Sequence, residues 1–457
     1  MNSILQTLNQ LGKDLLDMEL AGNTIGAFLQ ECRSLADEAI LELAQYRIQE
    51  IDQALSEKTF DRNDWIIVKK DVPRTLETNL GVLRYDRRYY RDRQTKEYCY
   101  LTDVMIGVRK YQRVEDELAL SLIEASSTMS YRQASAKVCE GRLSATSVMN
   151  SIRQIDIPDP VESQPKRAVK ELHIQADEDH VHLQKQHRKS GQIRFAAIHE
   201  PKVKVGKNRY RLPKRHILSS VNERPEAFGE RVLDTLDAMY DLNEVETIYC
   251  HGYGASLIQT LSELLPKSLS VLDHFHLEKE LLGVCRGDRR LRSRLRKKLH
   301  PWDGKGLDEE LQMLVDSDVC TEEKARKLRV YLRNNRQAII NHFSLPHGGS
   351  CAEGLVSHVF SKRFSRDPMS WSVASLRKLS QVRAHLENGK ALDKTMLWKS
   401  TETDEPMNIL GDKVRLSVRA SKRPSVPDWS ANIPGSEHKS GALGAIMRSI
   451  NNRGFLC

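Results

Sequence analysis

The sequence predicts an α+β protein of several domains. Three observations carry that expectation. The chain has 457 residues, more than one ordinary core encloses. Between Glu171 and Asp273, β-prone runs alternate with helical ones, the mark of a mixed sheet with covering helices. A charged block from 276 to 345 then reads as helix throughout.

Residues 1–60 read as long helices, with Leu35, Ala39 and Leu43 on one stripe and Ile40, Ile48, Ile51 and Leu55 beside it. Residues 61–160 change character. Val82–Tyr85 and Arg88–Tyr90 are β-prone, and Asp92–Lys96 reads as a turn before Tyr98-Cys99-Tyr100. Ser130-Tyr131-Arg132 then opens a helix, Glu140-Gly141-Arg142 makes a turn, and Ser144 caps a second helix, which is helix-turn-helix spacing. Residues 161–166 look like a linker. The sheet region, 168–278, offers strands at Leu172–Asp177, Ile193–Ile198, His216–Leu218, Thr247–Cys250 and Leu269–Asp273, with helices near 225–240 and 255–265. Residues 279–345 read as a charged helical block, 346–400 resume a helical pattern, and 401–457 is an irregular tail with a short helix near Ala442–Ile450.

Composition removes several classes. Apolar residues make up 39%, recurring along most of the chain, so it is not a disordered protein. No run approaches the ~20 apolar residues that span a membrane, and the first residues lack a basic-then-apolar leader, so a cytoplasmic location is expected. The eight cysteines form no C-x-x-C pair, which argues against a zinc ribbon or a disulfide frame. G-x-S-x-G, Walker and H-E-x-x-H patterns are absent, and a small-molecule hydrolase is not expected.

Four short segments could carry chemistry. In Asp177-Glu178-Asp179, strand alternation puts Asp177 and Asp179 on one face and Glu178 on the other. Both a hard-cation site and a solvated turn fit that pattern. Gly252-Tyr253-Gly254 after a strand reads as a tight turn more readily than as a phosphate loop. Asp273-His274-Phe275-His276 has ligand types, but no helical i, i+4 pair completes a site. Glu353 stands in an apolar helical pattern, as a metal ligand or a first-turn acid. Three clusters are basic: Arg84, Arg87, Arg88 and Arg91 among tyrosines, Arg132, Lys137, Arg142 and Arg153 on the helix pair, and eight Lys/Arg in the thirteen positions 286–298, among them Arg289, Arg290, Arg292, Arg294, Arg296, Lys297 and Lys298. One such run is usually a solvated face. Three favour a polyanion partner, because neutralised phosphates release counterions.

In order and spacing, these pieces resemble one family. Leu80–Tyr90, Met129–Arg132, Ala176–Val181, Gly252-x-Gly254-Ala255, Asp273–Leu277, Cys351–His358 and Pro368–Trp371 are similar to the landmarks of UPF0236-like bacterial insertion-sequence transposases of the ISLre group, over about Thr75 to Leu376. The resemblance implies an RNase H-like catalytic core of the DDE class, interrupted by an all-helical insertion and preceded by a DNA-binding helical and β-ribbon region. It implies two Mg²⁺ or Mn²⁺ ions held by three carboxylates. Asp177 matches the first, with Asp179 in reserve, and Glu353 matches the third. The partners implied are double-stranded DNA, as terminal inverted repeats and target, and further copies of the chain. Against the family's Gly-Asp-Gly-Ala, this chain has Tyr253 in the second Asp position. Tyrosine is a poor Mg²⁺ ligand because its phenol stays protonated near neutral pH. The alternative is therefore a catalytically dead, transposase-derived DNA-binding protein. A third reading is an interaction protein built on the helical N-terminus.

Overall fold

The structure, a computed structural model, describes residues 10–397 except 16, 19–23, 58–64, 159–164, 185–189, 208, 254–255 and 367–368. The expected tail at 401–457, its short helix and most of the 161–166 linker lie outside the described residues. The chain divides into two compact units that part between Ala119 and Leu120. The tyrosine-rich ribbon and the helix-turn-helix, taken together as 61–160 in the sequence, fall in different units.

In the first unit, a long helix α1 (Ile25–Ser56) starts at Thr24, whose hydroxyl accepts the Ala27 N–H. It packs on an antiparallel ribbon, β1 (Trp65–Thr78) and β2 (Gly81–Asp92), extended by β3 (Tyr98–Cys99). Ile48 meets Leu76, Leu83 and Tyr85, and Leu55 meets Tyr90 and Leu101. Ile40, expected beside the buried stripe, faces solvent. Strand β1 was not legible in the sequence. Lys69-Lys70-Asp71 and Pro73 interrupt its alternation, and the pairing absorbs them by two register shifts, with Asp71 at φ 52°. A short helix α2 (Leu101–Ile106) and α3 (Asp116–Ser126) follow.

Two of the ribbon arginines expected to meet phosphate are internal. Arg87 is 6% exposed, pairs with Asp103 and lies over the Tyr100 ring. Arg88 pairs with the buried Asp52 of α1, which also accepts the Arg88 backbone N–H and the Thr102 hydroxyl. A buried carboxylate demands such partners, so these two charges hold α1, α2 and the ribbon together. Arg84 is exposed and Arg91 half-buried.

The second unit begins within α3, at Leu120, and continues with the helix pair, α4 (Tyr131–Cys139) and α5 (Ala145–Gln154). Ser130 and Gln133 form a capping box, and Ser144 accepts the Ser147 N–H. Glu140 and Gly141 both take positive φ in the turn between. Next comes the main sheet: β4 (Glu171–His182), β5 (Ser190–His199), a small hairpin β6 (Val203–Gly206) and β7 (Arg209–Arg211), then β8 (His216–Val221), α6 (Pro225–Met239), β9 (Thr247–Gly252), α7 (Ser256–Leu264) and β10 (Ser268–Leu272). The sheet order is β10-β9-β4-β5-β8; β4, β5 and β8 run antiparallel, and β9 and β10 parallel to β4.

The central strand β4 is buried on both faces, and its faces differ. Leu172, Ile174 and Ala176 join Ala196, Ile198, Leu218 and Cys250 under the helices α6 and α7, through Phe228, Val232, Leu236, Leu257 and Leu261. The opposite face carries His173, Gln175, Asp177 and Asp179.

Helices α8 (His274–Val284), α9 (Arg289–Leu299), α10 (Gly304–Asp316), α11 (Glu322–Asn334) and α12 (Arg336–Ser344) share a core of their own around Leu281, Leu295, Leu311, Leu328 and Ile339. The chain then returns to the polar face of the sheet with α13 (Ala352–Val356), a π turn over Ser357–Ser361, a short α14 (Lys362–Phe364) and α15 (Val373–Glu387). After α15, Asn388 takes both the N–H and the C=O of Ile217 on edge strand β8.

Phe228 is fully buried between α6 and the sheet. Phe228→Ala should cost about 3–5 kcal/mol, read as a lower urea midpoint with an unchanged slope.

Candidate metal centre

The polar face of β4 converges with two later segments. Asp177 is 5% exposed. His276, in the first turn of α8, brings Nε2 to 3.7 Å from Asp177 Oδ2 and 4.0 Å from Oε2 of Glu353 on α13. Ligand atoms of all three lie within 4.8 Å of one another. The Glu353 side chain is 48% exposed, so the cluster opens to solvent. At 3.7 Å the His276–Asp177 approach is too long for a hydrogen bond, and Nε2 is a buried nitrogen with no hydrogen-bond partner among the described residues.

A hydrogen-bond relay fixes this geometry. Gln175, two residues before Asp177 and on its face, accepts both the Ser350 hydroxyl (3.1 Å) and the Cys351 N–H (3.0 Å). That pins the start of α13 to the strand that carries Asp177. The single Ser350 hydroxyl proton is shared between Gln175 and Asp273. Asp273 in turn caps α8, accepting the Phe275 N–H at 2.7 Å, and its own N–H goes to the Gly252 carbonyl. The Asp273 carboxylate is therefore spent on positioning and does not join the cluster. Gly252 is required here: a Cβ would lie 2.4 Å from Ile258 and 2.9 Å from the Ala176 carbonyl.

Behind the relay is a layer of buried histidines. His173 hydrogen-bonds His251 at 3.1 Å and stacks on His199, and His199 bonds Gln175. Burial, with the charges of Lys202 and His347, pulls His173 down to about 4. Burial likewise holds His199 at about 4, against its hydrogen bond to the Glu200 carbonyl. These rings are neutral structural groups. His276 behaves oppositely: burial lowers it, but the neighbouring Asp177, then Asp273 and Glu353, outweigh burial and raise it above the ordinary value.

The other sequence-predicted residues fall outside the cluster. Asp179 shares the face but accepts from Ser365 at 3.1 Å, and burial raises its pKa despite that bond. Glu178, on the opposite face, pairs with Arg194 at 2.8 Å. Tyr253 spans the two: its ring lies 5.1 Å from that of His276 and its hydroxyl donates to Glu178 at 2.9 Å. Burial, then Glu178 and Asp177, raise the phenol's pKa, so it stays protonated. His276 was missed as a ligand because its partners come from β4 and α13, not from its own helix.

The basic α9 is partly neutralised. Arg292 and Arg296 pair with Glu278, Arg294 with Glu310 and Lys298 with Asp303. Arg289, Arg290 and Lys297 are exposed with no acid partner among the described residues. Arg132 and Lys137 are exposed, Arg142 is half-buried, and Arg153 turns toward Ser372 and Ser375.

Two carboxylates and an imidazole suit one divalent ion, and the imidazole favours Mn²⁺ or Zn²⁺ over the oxygen-seeking Mg²⁺. Among the described residues, no third carboxylate joins the cluster to hold a second ion. Beside the cluster, Tyr253 brings a phenol already bonded to Glu178.

Across residues 23–401 the chain matches the family model described as Uncharacterised protein family (UPF0236). It is 30% identical over 411 residues to a UPF0236 protein of Caldanaerobacter subterraneus subsp. tengcongensis, covering 89% of this chain and 87% of the relative. A second UPF0236 protein of that organism, whose name joins eleven locus designations, is also 30% identical, over 89% of this chain and 86% of its own length. Among solved structures, the chain is similar to one titled Drosophila P element transposase strand transfer complex, with 10% identity and a TM-score of 0.23, over 70% of this chain and 96% of that one. No helix among the described residues is long and apolar enough to cross a membrane.

Ser350→Ala removes the hydroxyl that meets Asp273 and Gln175 but leaves Gln175 the Cys351 N–H and Asp273 the Phe275 N–H, so it should cost about 1 kcal/mol in urea unfolding. The histidine layer sets a pH dependence. Unfolded histidines take protons near pH 6.5, whereas the folded His173 and His199 refuse them until about 4. Their stabilising effect is full above about pH 6.5 and is lost as pH falls toward 4. Melting temperature should drop across that window, and less steeply in His199→Gln.

Proposed function

The chain belongs to the UPF0236 family, and we propose that it is a DDE-type DNA transposase, of the ISLre kind its motifs resemble, that cuts and joins insertion-sequence ends. The observation that carries this reading is the meeting of Asp177 and Glu353, from opposite ends of the second unit, at one solvent-open cluster. Three antiparallel strands followed by two parallel ones, with the first acid on the central strand, support an RNase H-like core. A relative whose name joins eleven loci of one genome fits a sequence that copies itself.

Asp177, His276 and Glu353 would hold a Mn²⁺ ion in preference to Mg²⁺. Such an ion would supply Lewis-acid activation of a water or 3′-hydroxyl and charge stabilisation at the leaving oxygen. The chain's own residues do the rest. Gln175, Ser350 and Asp273 keep the three ligands in register. Arg289, Arg290 and Lys297, exposed and without an acid partner among the described residues, are available to phosphate. Two element ends must be cut together, so the working form is a homo-oligomer on DNA.

One observation favours the second reading, a transposase descendant that binds DNA without cutting it. Tyr253 lies against His276 with its hydroxyl bonded to Glu178, and its protonated phenol stands where the resemblance calls for a second carboxylate ligand. A one-ion site forgoes several kcal/mol of charge stabilisation, so the parent should cut roughly a hundredfold or more slowly than Tyr253→Asp.

The test is Mn²⁺-dependent cleavage of a supercoiled plasmid carrying the element's ends. Tyr253→Asp should cut fastest, the parent slowly, and Asp177→Ala not at all while still binding DNA. Saturable Mn²⁺ binding by paramagnetic resonance should persist in the parent and weaken in Asp177→Ala and Glu353→Gln. A parent that binds no Mn²⁺ and is silent beside an active Tyr253→Asp would establish the second reading. Equal cutting by Asp177→Ala would refute the site.

A further inference from the structure

We propose that the β6–β7 hairpin is a DNA-docking arm that enters a groove of duplex DNA beside the metal centre. The proposal deepens the transposase reading and rests on it for the choice of DNA as the polyanion.

The segment from Pro201 to Arg215 contains seven Lys/Arg and no acid. Its charges divide sharply by position. At the root they are anchored: Lys202 donates to the Gly348 and Gly349 carbonyls, and Arg215 pairs with Glu387 at 3.0 Å. Beyond the root, Lys204, Lys207, Arg209, Arg211 and Lys214 are exposed, with no acid partner among the described residues. That differs from α9, where four of the cations have found carboxylates.

Concentrating five like charges on a short ribbon costs free energy unless an anion meets them. Apolar groups are exposed there too: Val205 is 56% exposed and Tyr210 60%. The register sets Lys204 opposite Tyr210 on one face, a cation beside an aromatic, and Val203 opposite Arg211 on the other. Neither face has a core to cover. A two-stranded ribbon of this kind fits the major groove of B-DNA, about 12 Å wide, and is excluded by the deep, narrow groove of A-form RNA.

The root also ties the arm to the site. Lys202 grips the loop that leads into α13 and Glu353. The arm leaves β5 at His199, which pairs with His173, four residues from Asp177 on β4. Four strand residues span about 13 Å, less than the width of a duplex. The root of the arm, not its cations, therefore lies about 13 Å from Asp177 along the sheet, and a duplex held by the arm would have to run back over that root to meet the cluster.

The experiment uses the full chain and a short labelled duplex, with binding followed by fluorescence anisotropy over a range of salt. The variant replaces Lys204, Lys207, Arg209, Arg211 and Lys214 with Gln. Its slope of log affinity against log salt should fall by about 0.9 for each phosphate no longer neutralised, up to roughly 4.5 in total. Lys207→Gln with Arg209→Gln, at the tip, should give a proportionate part of that fall. Melting temperature should not fall, and Mn²⁺ binding should not change, in either variant. A five-residue variant that keeps the parent's affinity and slope would overturn the arm and leave the transposase reading standing. Duplex RNA bound as tightly as DNA through the same five residues would overturn the groove assignment. A parent that binds no DNA would overturn both.

Discussion

The Ser350 hydroxyl joins three segments that are distant in sequence. Its one proton lies within reach of both Gln175 on the central strand and Asp273 at the start of α8, and it stands two residues before α13. The constraint behind it is hydrogen-bond satisfaction. A strand buried on both faces cannot leave a carboxamide or a carboxylate unmet. Because Gln175 and Asp273 must find donors in the same place, the loop before Glu353 has little freedom, and the three ligand side chains inherit that restriction.

The same strand explains why the unit needs a histidine layer. One face of β4 is ordinary core, closed by α6 and α7. The other must stay polar up to Asp177, yet His173, His199 and His251 there are buried. Neutral imidazoles serve in such a place because each can both give and accept one hydrogen bond. Charge is kept to the open end, where Glu353 meets solvent and His276 lies between two carboxylates.

Much of this was legible in the sequence, for physical reasons. The period of two across Leu172–Asp179 put Asp177 and Asp179 on one face and Glu178 on the other, and the strand has that form. Ser130 and Ser144 announced their helices because capping is local. What escaped depended on tertiary partners. Arg87 and Arg88 looked like phosphate ligands, but Asp103 and Asp52 claim them from elsewhere in the chain. His276 showed no metal spacing because its partners lie on other elements. Strand β1 was hidden by the residues its bulges accommodate, and β6–β7 by a composition that suits a loop as well as a ribbon.

The π turn at Ser357–Ser361 has a consequence for how α13 can serve two masters. A π turn holds one residue more than the α-helix around it. Each residue turns a helix by about 100°, so everything after Ser361 is rotated relative to everything before Ser357. Ahead of the turn, Glu353 faces the open cluster; past it, Arg363 and Phe364 are buried, with Arg363 over the Trp371 ring. A plain helix would have locked these two orientations to a single phase. With the extra residue, the side of the helix used for anchorage and the side used for chemistry can be set independently, so either could change in evolution without turning the other away from its place.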